Sequence, residues 1–306
     1  MKSKLNEALS VLPDRLKRSV LSLNEREQMD VSELRMRKGR WFSAVLYGKE
    51  YFICSDGRLM TECSDACNVL DEDIAFTFRK AFNGSVHAYP REMSEGFITI
   101  CGGNRVGFCG TAVSDESGKN IESTSNISSL CIRISKEIKD CSDPIYYRVF
   151  KDGLCSVIIS SAPCGGKTTV IRDLGRKLSE AYKVCIIDER GEIASVHNGI
   201  PQCDVGARTD VFNRYPKTTA IITAVRALSP DIIICDEIGQ AVEIDALRYA
   251  YTSGVKLICT CHASDINDLT SRPVAGKLIK EKAFDAAVFL GTGSMCGKII
   301  SIDKLK

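Results

Sequence analysis

One stretch limits what this chain can fold into more than any other: Val157-Ile158-Ile159-Ser160-Ser161-Ala162-Pro163-Cys164-Gly165-Gly166-Lys167-Thr168-Thr169. A β-branched apolar run gives way to small residues and a proline. Gly-Lys-Thr-Thr then opens the amphipathic segment Val170-Ile171-Arg172-Asp173-Leu174. Strand, tight loop and helix in that order make a phosphate-binding loop. The turn points successive backbone N–H groups inward at phosphate oxygens, and the free amides of the helix start add the positive end of its dipole. Ser161, Ala162, Pro163, Cys164, Gly165, Gly166, Lys167, Thr168 and Thr169 are therefore expected to cradle phosphate. Lys167 would bridge the β- and γ-phosphates, and the Thr168 hydroxyl would ligate Mg2+. Ser161 stands where the motif has its first glycine, and Gly165 supplies a glycine just before the fixed Gly-Lys.

A second signal is Ile232-Ile233-Ile234-Cys235-Asp236-Glu237, an apolar strand whose end presents two adjacent acids. Asp236 suits the Mg2+ held by Thr168. Glu237 can orient the water that attacks the γ-phosphate, or accept its proton. Ile186-Ile187-Asp188-Glu189-Arg190 ends a neighbouring strand, so Glu189 is a rival for that role. Leu257-Ile258-Cys259-Thr260-Cys261-His262 ends another, where Thr260 or His262 would sense the γ-phosphate. Arg190, Arg208 and Arg226 flank these tips in sequence, while Arg105 and Arg133 fall on strand patterns in the first half. One or two of the arginines would bring charge to the transition state, from this chain or a neighbour.

The rest of the chain is read around that core. Its 306 residues leave room for two domains. Residues 1–140 mix helical and alternating patterns, an α+β domain. One or two amphipathic helices are expected over residues 5–29, a helix over 71–82 and short strands over 33–37, 41–46, 50–54, 97–101, 105–113 and 129–135. The polar residues 115–126 read as an exposed loop. Residues 141–306 alternate strand candidates (155–160, 183–188, 231–236, 255–260) with helical ones (169–180, 217–227, 241–252) and end in a hairpin over 286–302. Such alternation predicts an α/β fold, a parallel sheet with helices on both faces and sites at the carboxyl ends of its strands.

Composition excludes several classes. The near-zero net charge of +2 weakens a nucleic-acid motor, since backbone binding normally needs a basic surface. No apolar run approaches the ~20 residues of a membrane span, and residues 1–7 lack the apolar core of a signal peptide. Fifteen cysteines are many, yet most sit in apolar strand-like runs and read as small buried hydrophobes in a reducing compartment. Cys63 and Cys67 have no second pair at zinc-finger spacing.

With these residues assembled, the sequence resembles the stage III sporulation protein AA family of endospore-forming bacteria. The likeness lies in Ser32-Glu33-Leu34-Arg35-Met36-Arg37, in Gly102-Gly103-Asn104-Arg105-Val106-Gly107 and in Asp188-Glu189-Arg190-Gly191-Glu192-Ile193-Ala194. It continues through the run from Gly199-Ile200-Pro201-Gln202 to Arg208-Thr209-Asp210 and through Arg226-Ala227-Leu228-Ser229-Pro230. That family looks similar to the type II/IV secretion and pilus-motor ATPases. The resemblance implies a RecA-like domain that hydrolyses ATP with Mg2+. It also implies a ring, most simply a hexamer, docked peripherally from the mother-cell cytoplasm on the membrane complex facing the forespore. In the motor relatives an N-terminal domain presents arginines to the phosphates, and Arg105 and Arg133 resemble them in local context, with Arg208 as the alternative. A general pilus or secretion motor and a nucleotide-gated scaffold with little turnover are the rival functions. The departures are Ser161 with Gly165-Gly166, and Cys261-His262-Ala263 where an Ala-His-Gly-like sequence is expected.

Overall fold

A computed structural model describes residues 2–62, 65–115 and 121–306. The chain divides into two compact units, residues 1–136 and residues 137–306. Residues 137–140 belong with the second unit: Lys139 Nζ lies 2.7 Å from Asp204, and the Asp140 N–H donates to Asp173 at 3.1 Å.

The first unit begins with three short helices, α1 (Lys2–Leu9), α2 (Asp14–Leu21) and α3 (Glu25–Asp30), where one or two were expected. Pro13 separates the first two, because a proline lacks the N–H that would continue a helix. A capping box between Asn24 and Glu27 starts the third. Strands β1 (Val31–Arg37), β2 (Ser43–Leu46), β3 (Lys49–Ile53) and β4 (Leu59–Met60) follow, then α4 (Asp71–Ala81) and α5 (Pro90–Glu95). Strands β5 (Phe97–Thr99), β6 (Arg105–Ser114) and β7 (Ile121–Arg133) complete an antiparallel sheet of order β4-β3-β2-β1-β7-β6-β5. Its core takes Leu34 and Met36 of β1, Val106 of β6, Ile132 of β7 and the inner residues of the helices, such as Leu9, Leu16 and Ile74.

The expected loop over 115–126 is overturned in part. Residues 121–126 are strand, paired with β6 through Thr111–Ser125, Ala112–Thr124 and Val113–Ser123, while residues 116–120 lie outside the described residues. This outer part of the hairpin buries neither face, so no apolar alternation marks it in the sequence. Cys63, half of the Cys63/Cys67 pair, also lies outside the described residues.

The second unit runs α6 (Asp143–Val149), β8 (Val157–Ser160), α7 (Lys167–Leu178), β9 (Val184–Asp188) and β10 (Thr209–Asn213). It continues with α8 (Lys217–Ala227), β11 (Ile232–Cys235), α9 (Glu243–Thr252), β12 (Lys256–Cys261), α10 (Ile266–Ser271), α11 (Pro273–Lys280), β13 (Ala286–Leu290) and β14 (Ile299–Lys304). The sheet order is β10-β9-β11-β12-β8-β13-β14, parallel throughout except for the edge strand β14. Alternate residues feed two separate cores. Val157, Ile159, Ile186, Ile234 and Ile258 face Val170, Ile171 and Leu174 of α7. Ile158, Ile187, Ile233 and Leu257 face Ala220 and Ile221 of α8 and Leu247 of α9. Cys185, Cys235, Cys259 and Cys261 lie on this second face as small apolar residues, and the described cysteines are all free thiols. The strand β10 and the helix α10 have no counterpart in the sequence reading, since each is short and half-exposed.

Candidate nucleotide site

The sheet order decides which strand tips meet. β8 lies beside β12, β12 beside β11, and β11 beside β9, so the phosphate loop, His262, the Asp236-Glu237 pair and Glu189 follow adjacent or nearby strands. The loop is tight. Cys164 and Gly166 take left-handed φ values of 60° and 80°, the second opening α7. Ser161 is 1% exposed, and a Cβ on Gly165 would fall 2.1 Å from its Oγ. Ser161 and Gly165 are therefore one compensated pair, with the serine side chain occupying the space that the glycine leaves. The loop between β13 and β14 backs the turn: Gly297 N–H donates to Gly165 O at 3.1 Å, and Cys296 Sγ to Cys164 O at 3.2 Å.

Lys167 is not the exposed loop-tip cation that its place in the sequence suggests; only 7% of it is exposed. Its ammonium contacts Ser161 O and Oγ, both at 3.3 Å, and His262 Nδ1 at 3.0 Å. Burial pulls the ammonium below the ordinary lysine value, with Asp236 and Glu237 pulling the other way. An ammonium can only donate, so Nδ1 of His262 accepts and Nε2 carries the ring proton. That proton faces Glu237 Oε1, 3.7 Å from Nε2.

Thr168 Oγ1 donates to Asp236 Oδ2 at 2.9 Å, and the Thr260 hydroxyl donates to Oδ1 of the same carboxylate. Thr260 Oγ1 in turn accepts the Glu237 N–H at 2.7 Å. A hydroxyl and a carboxylate beside a phosphate cradle fit Mg2+, which takes hard oxygen donors and keeps most of its shell for water and phosphate. Among the described residues no cluster of three or more His, Cys, Asp and Glu could hold a metal by itself.

The two rival acids are held differently. Glu237 makes an ion pair with Arg190 at 2.6 Å, and that arginine is largely exposed. Glu189 accepts the backbone N–H of Lys217 at 3.1 Å, which makes it a cap for the start of α8. Asp188 is 2% exposed and structural, accepting the N–H groups of Glu192, Ile193 and Ala194.

Arg208 is not brought to the loop of its own chain. Its guanidinium donates to the carbonyls of Ser179, at 3.1 Å, and Glu180, just beyond the carboxyl end of α7. Lys167 opens that helix, and twelve residues at ~1.5 Å each separate its ends by roughly 18 Å. Arg226 stacks over Tyr249 instead, 5.9 Å from the ring centroid. Arg105 and Arg133 belong to the first unit, directly opposite each other across β6 and β7. Arg105 lies 5.0 Å from the centroid of Phe97, and Arg133 3.6 Å from Glu33. Sequence reasoning missed Lys217, Glu243, Cys296 and Gly297. Lys217 alone left a trace, because a cation in the first turn of a helix opposes the dipole and implies a local acid.

Comparison with known proteins agrees with this fold. Residues 2–306 match the family described as Sporulation stage III, protein AA. The chain belongs to that family. It is 30% identical to Stage III sporulation protein AA of Bacillus subtilis (strain 168), over 97% of this chain and 94% of the relative. Among solved structures it is similar to the pilus retraction motor PilT with bound ADP, at a TM-score of 0.57 and 14% identity, over 85% of this chain and 74% of that one. The Legionella pneumophila ATPase DotB gives a TM-score of 0.54 at 16% identity, covering 86% and 73%. At those identities the likeness establishes the fold, a RecA-like P-loop domain preceded by an α+β unit. No described helix is long and apolar enough to cross a membrane.

Proposed function

We propose that this family member binds Mg-ATP at the loop of residues 161–169 and hydrolyses it, acting on the mother-cell side of a membrane complex directed at the forespore. The observation that carries the reading is the linkage of the loop to the tips of β11 and β12: Lys167 reaches His262, Thr168 reaches Asp236, and Thr260 joins Asp236 to Glu237. Lys167 supplies charge to the β- and γ-phosphates, and phosphate replaces the weaker partners it now has. Thr168 and Asp236 hold Mg2+, which when bound neutralises charge on the transferred phosphoryl group. Glu237 orients the attacking water and takes its proton, with Arg190 swinging aside from an exposed pair worth little in stability. His262 links the cation to that acid and senses whether the γ-phosphate is there.

A pocket lined by Ile138, Cys141, Pro144, Arg148, Val170 and Ile299, touching Gly166 and Thr169, suits the base and ribose. The pilus motor of similar fold carries ADP in its solved structure, which supports a nucleotide here. A ring, most simply a hexamer, and peripheral docking on membrane-embedded subunits extend the proposal from the motor relatives.

Purified full-length protein tests it. Lys167→Ala should abolish ATP binding, and Glu237→Gln should bind ATP and leave it intact, with turnover down on the order of 100-fold or more. Parent-like hydrolysis by Lys167→Ala would falsify the reading. Specific activity that rises with protein concentration, alongside ring formation in mass photometry, separates an assembled ATPase from a nucleotide-gated scaffold.

A further inference from the structure

Lys217 opens α8 yet is only 6% exposed. An ammonium taken out of water needs charged or polar partners. It has three: Glu243 Oε1 at 2.8 Å, the backbone carbonyl of Glu237 at 2.8 Å and Glu189 Oε2 at 3.7 Å. Glu243 is 2% exposed and uses its other oxygen to accept the N–H groups of Gly239, at 2.9 Å, and Gln240, at 3.1 Å. Lysine and glutamate thus grip residues 237–240, the segment that leaves the acidic strand β11.

The gripped segment needs holding. Glu237 has φ +49°, a left-handed conformation that strains a residue bearing a Cβ. Its N–H is fixed by Thr260 at 2.7 Å and its carbonyl by Lys217 at 2.8 Å. With the peptide groups on both sides pinned, the direction in which the Glu237 side chain leaves the backbone is set. A buried ion pair is no cheap route to stability, since well-packed apolar residues often do as well. Its placement here is better explained by what it orients.

We infer that the buried Lys217–Glu243 pair is the positioning device for Glu237. The pair holds the Glu237 backbone so that the carboxylate meets the water at the γ-phosphate, and through Glu189 it ties the tip of β9 to the same lysine. This rests on the reading of Glu237 as the acid that directs water.

Steady-state kinetics and nucleotide affinity of the full chain test it with four variants. Lys217→Met keeps the stem and removes the charge. Its kcat should fall on the order of 100-fold, the size of effect that a displacement near 1 Å produces, with ATP affinity within about twofold of the parent. Lys217→Arg should recover part of kcat. Added to Glu237→Gln, Lys217→Met should cause little further loss, because both act through one group. A merely structural lysine would lower both backgrounds by the same factor. If Lys217→Met is unfolded by the lone buried Glu243, the double variant Lys217→Met/Glu243→Leu removes both charges. Its thermal melt should be cooperative and its kcat still low. Parent kcat in any folded variant lacking the Lys217 charge overturns the inference, as does an undiminished loss in the Glu237→Gln background. Parent-like turnover by Glu237→Gln itself is a different result, and it removes the underlying assignment of the acid.

Discussion

At Gly165 a single methyl decides whether the phosphate loop can close. A Cβ there would lie 2.1 Å from Ser161 Oγ and 2.5 Å from Ser161 Cβ, both fully enclosed. Gly165→Ala should weaken ATP binding by at least about tenfold, or ~1.4 kcal/mol, and Ser161→Gly in the same chain should restore most of it. Isothermal titration of Gly165→Ala, Ser161→Gly and the double variant checks this; additive losses would mean that the two positions do not share one space. Cys164 and Cys296 are exposed beside the same loop, whereas burial pushes Cys185 up to about 12 and raises Cys259 as well. Since the thiolate is the nucleophile, alkylation should reach Cys164 and Cys296 well before the buried cysteines of β9, β11 and β12, and ATP should protect Cys164. Mass spectrometry of partly labelled protein reads both outcomes, and equal labelling of Cys164 with and without ATP contradicts its placement at the phosphates.

Among the elements, α7 does two jobs. Its first turn carries Lys167 and Thr168, and its middle anchors the segment that enters the second unit. Asp173, 3% exposed, accepts the N–H groups of Asp140 and Ser142, the Ser142 hydroxyl at 2.6 Å and Arg176 Nη2 at 2.7 Å. Burial alone would raise this carboxyl. The hydrogen bonds from Ser142 and Arg176 outweigh it and hold the group below the ordinary aspartate range. A carboxylate held low in the folded state stabilises the fold above its unfolded value near ~3.9, and that contribution is lost as pH falls through the depressed value. Asp173→Asn should cost about 3 kcal/mol at neutral pH, in the range for breaking a buried ion pair. The gap between variant and parent should narrow in acid. Urea unfolding of both proteins across acid and neutral pH measures it, and a gap independent of pH would assign the loss to packing instead of charge.

For the whole molecule, the division at residue 136 has a testable consequence. In the second unit both faces of the parallel sheet are covered by its own helices, so a fragment of residues 137–306 should fold by itself, read as a cooperative thermal transition. Its turnover relative to the full chain then reports what the first unit adds. Arg105 and Arg133 are the residues of that unit expected to deliver charge on closure, so the fragment should hydrolyse ATP at least about tenfold more slowly. Arg105→Ala and Arg133→Ala in the full chain should lose activity in the same direction. A fragment as fast as the full chain would make the first unit an adaptor for partners.

Much of this protein is legible from the sequence because its information is local. The strand-loop-helix around Lys167 is marked by glycines and a change from strand to helical pattern, and the bounds of α8 and β13 follow from apolar spacing alone. The acids at the tips of β9 and β11 are equally plain, because each follows directly on an apolar β-branched run. What sequence could not supply is distance across the chain. The outer β6–β7 hairpin has no buried face to impose a pattern, so it reads as loop. Sequence prefers Glu237 but leaves Glu189 as its rival; only the fold makes Glu189 a cap for α8 and leaves Glu237 beside His262. Lys217 and Glu243 lie twenty-six residues apart on different helices, and only the packing of α8 against α9 makes them a pair. Local patterns are set by the short-range sterics and solvation of neighbouring residues. The partner of a buried charge is chosen by the whole fold, because only the assembled core removes water from both groups at once.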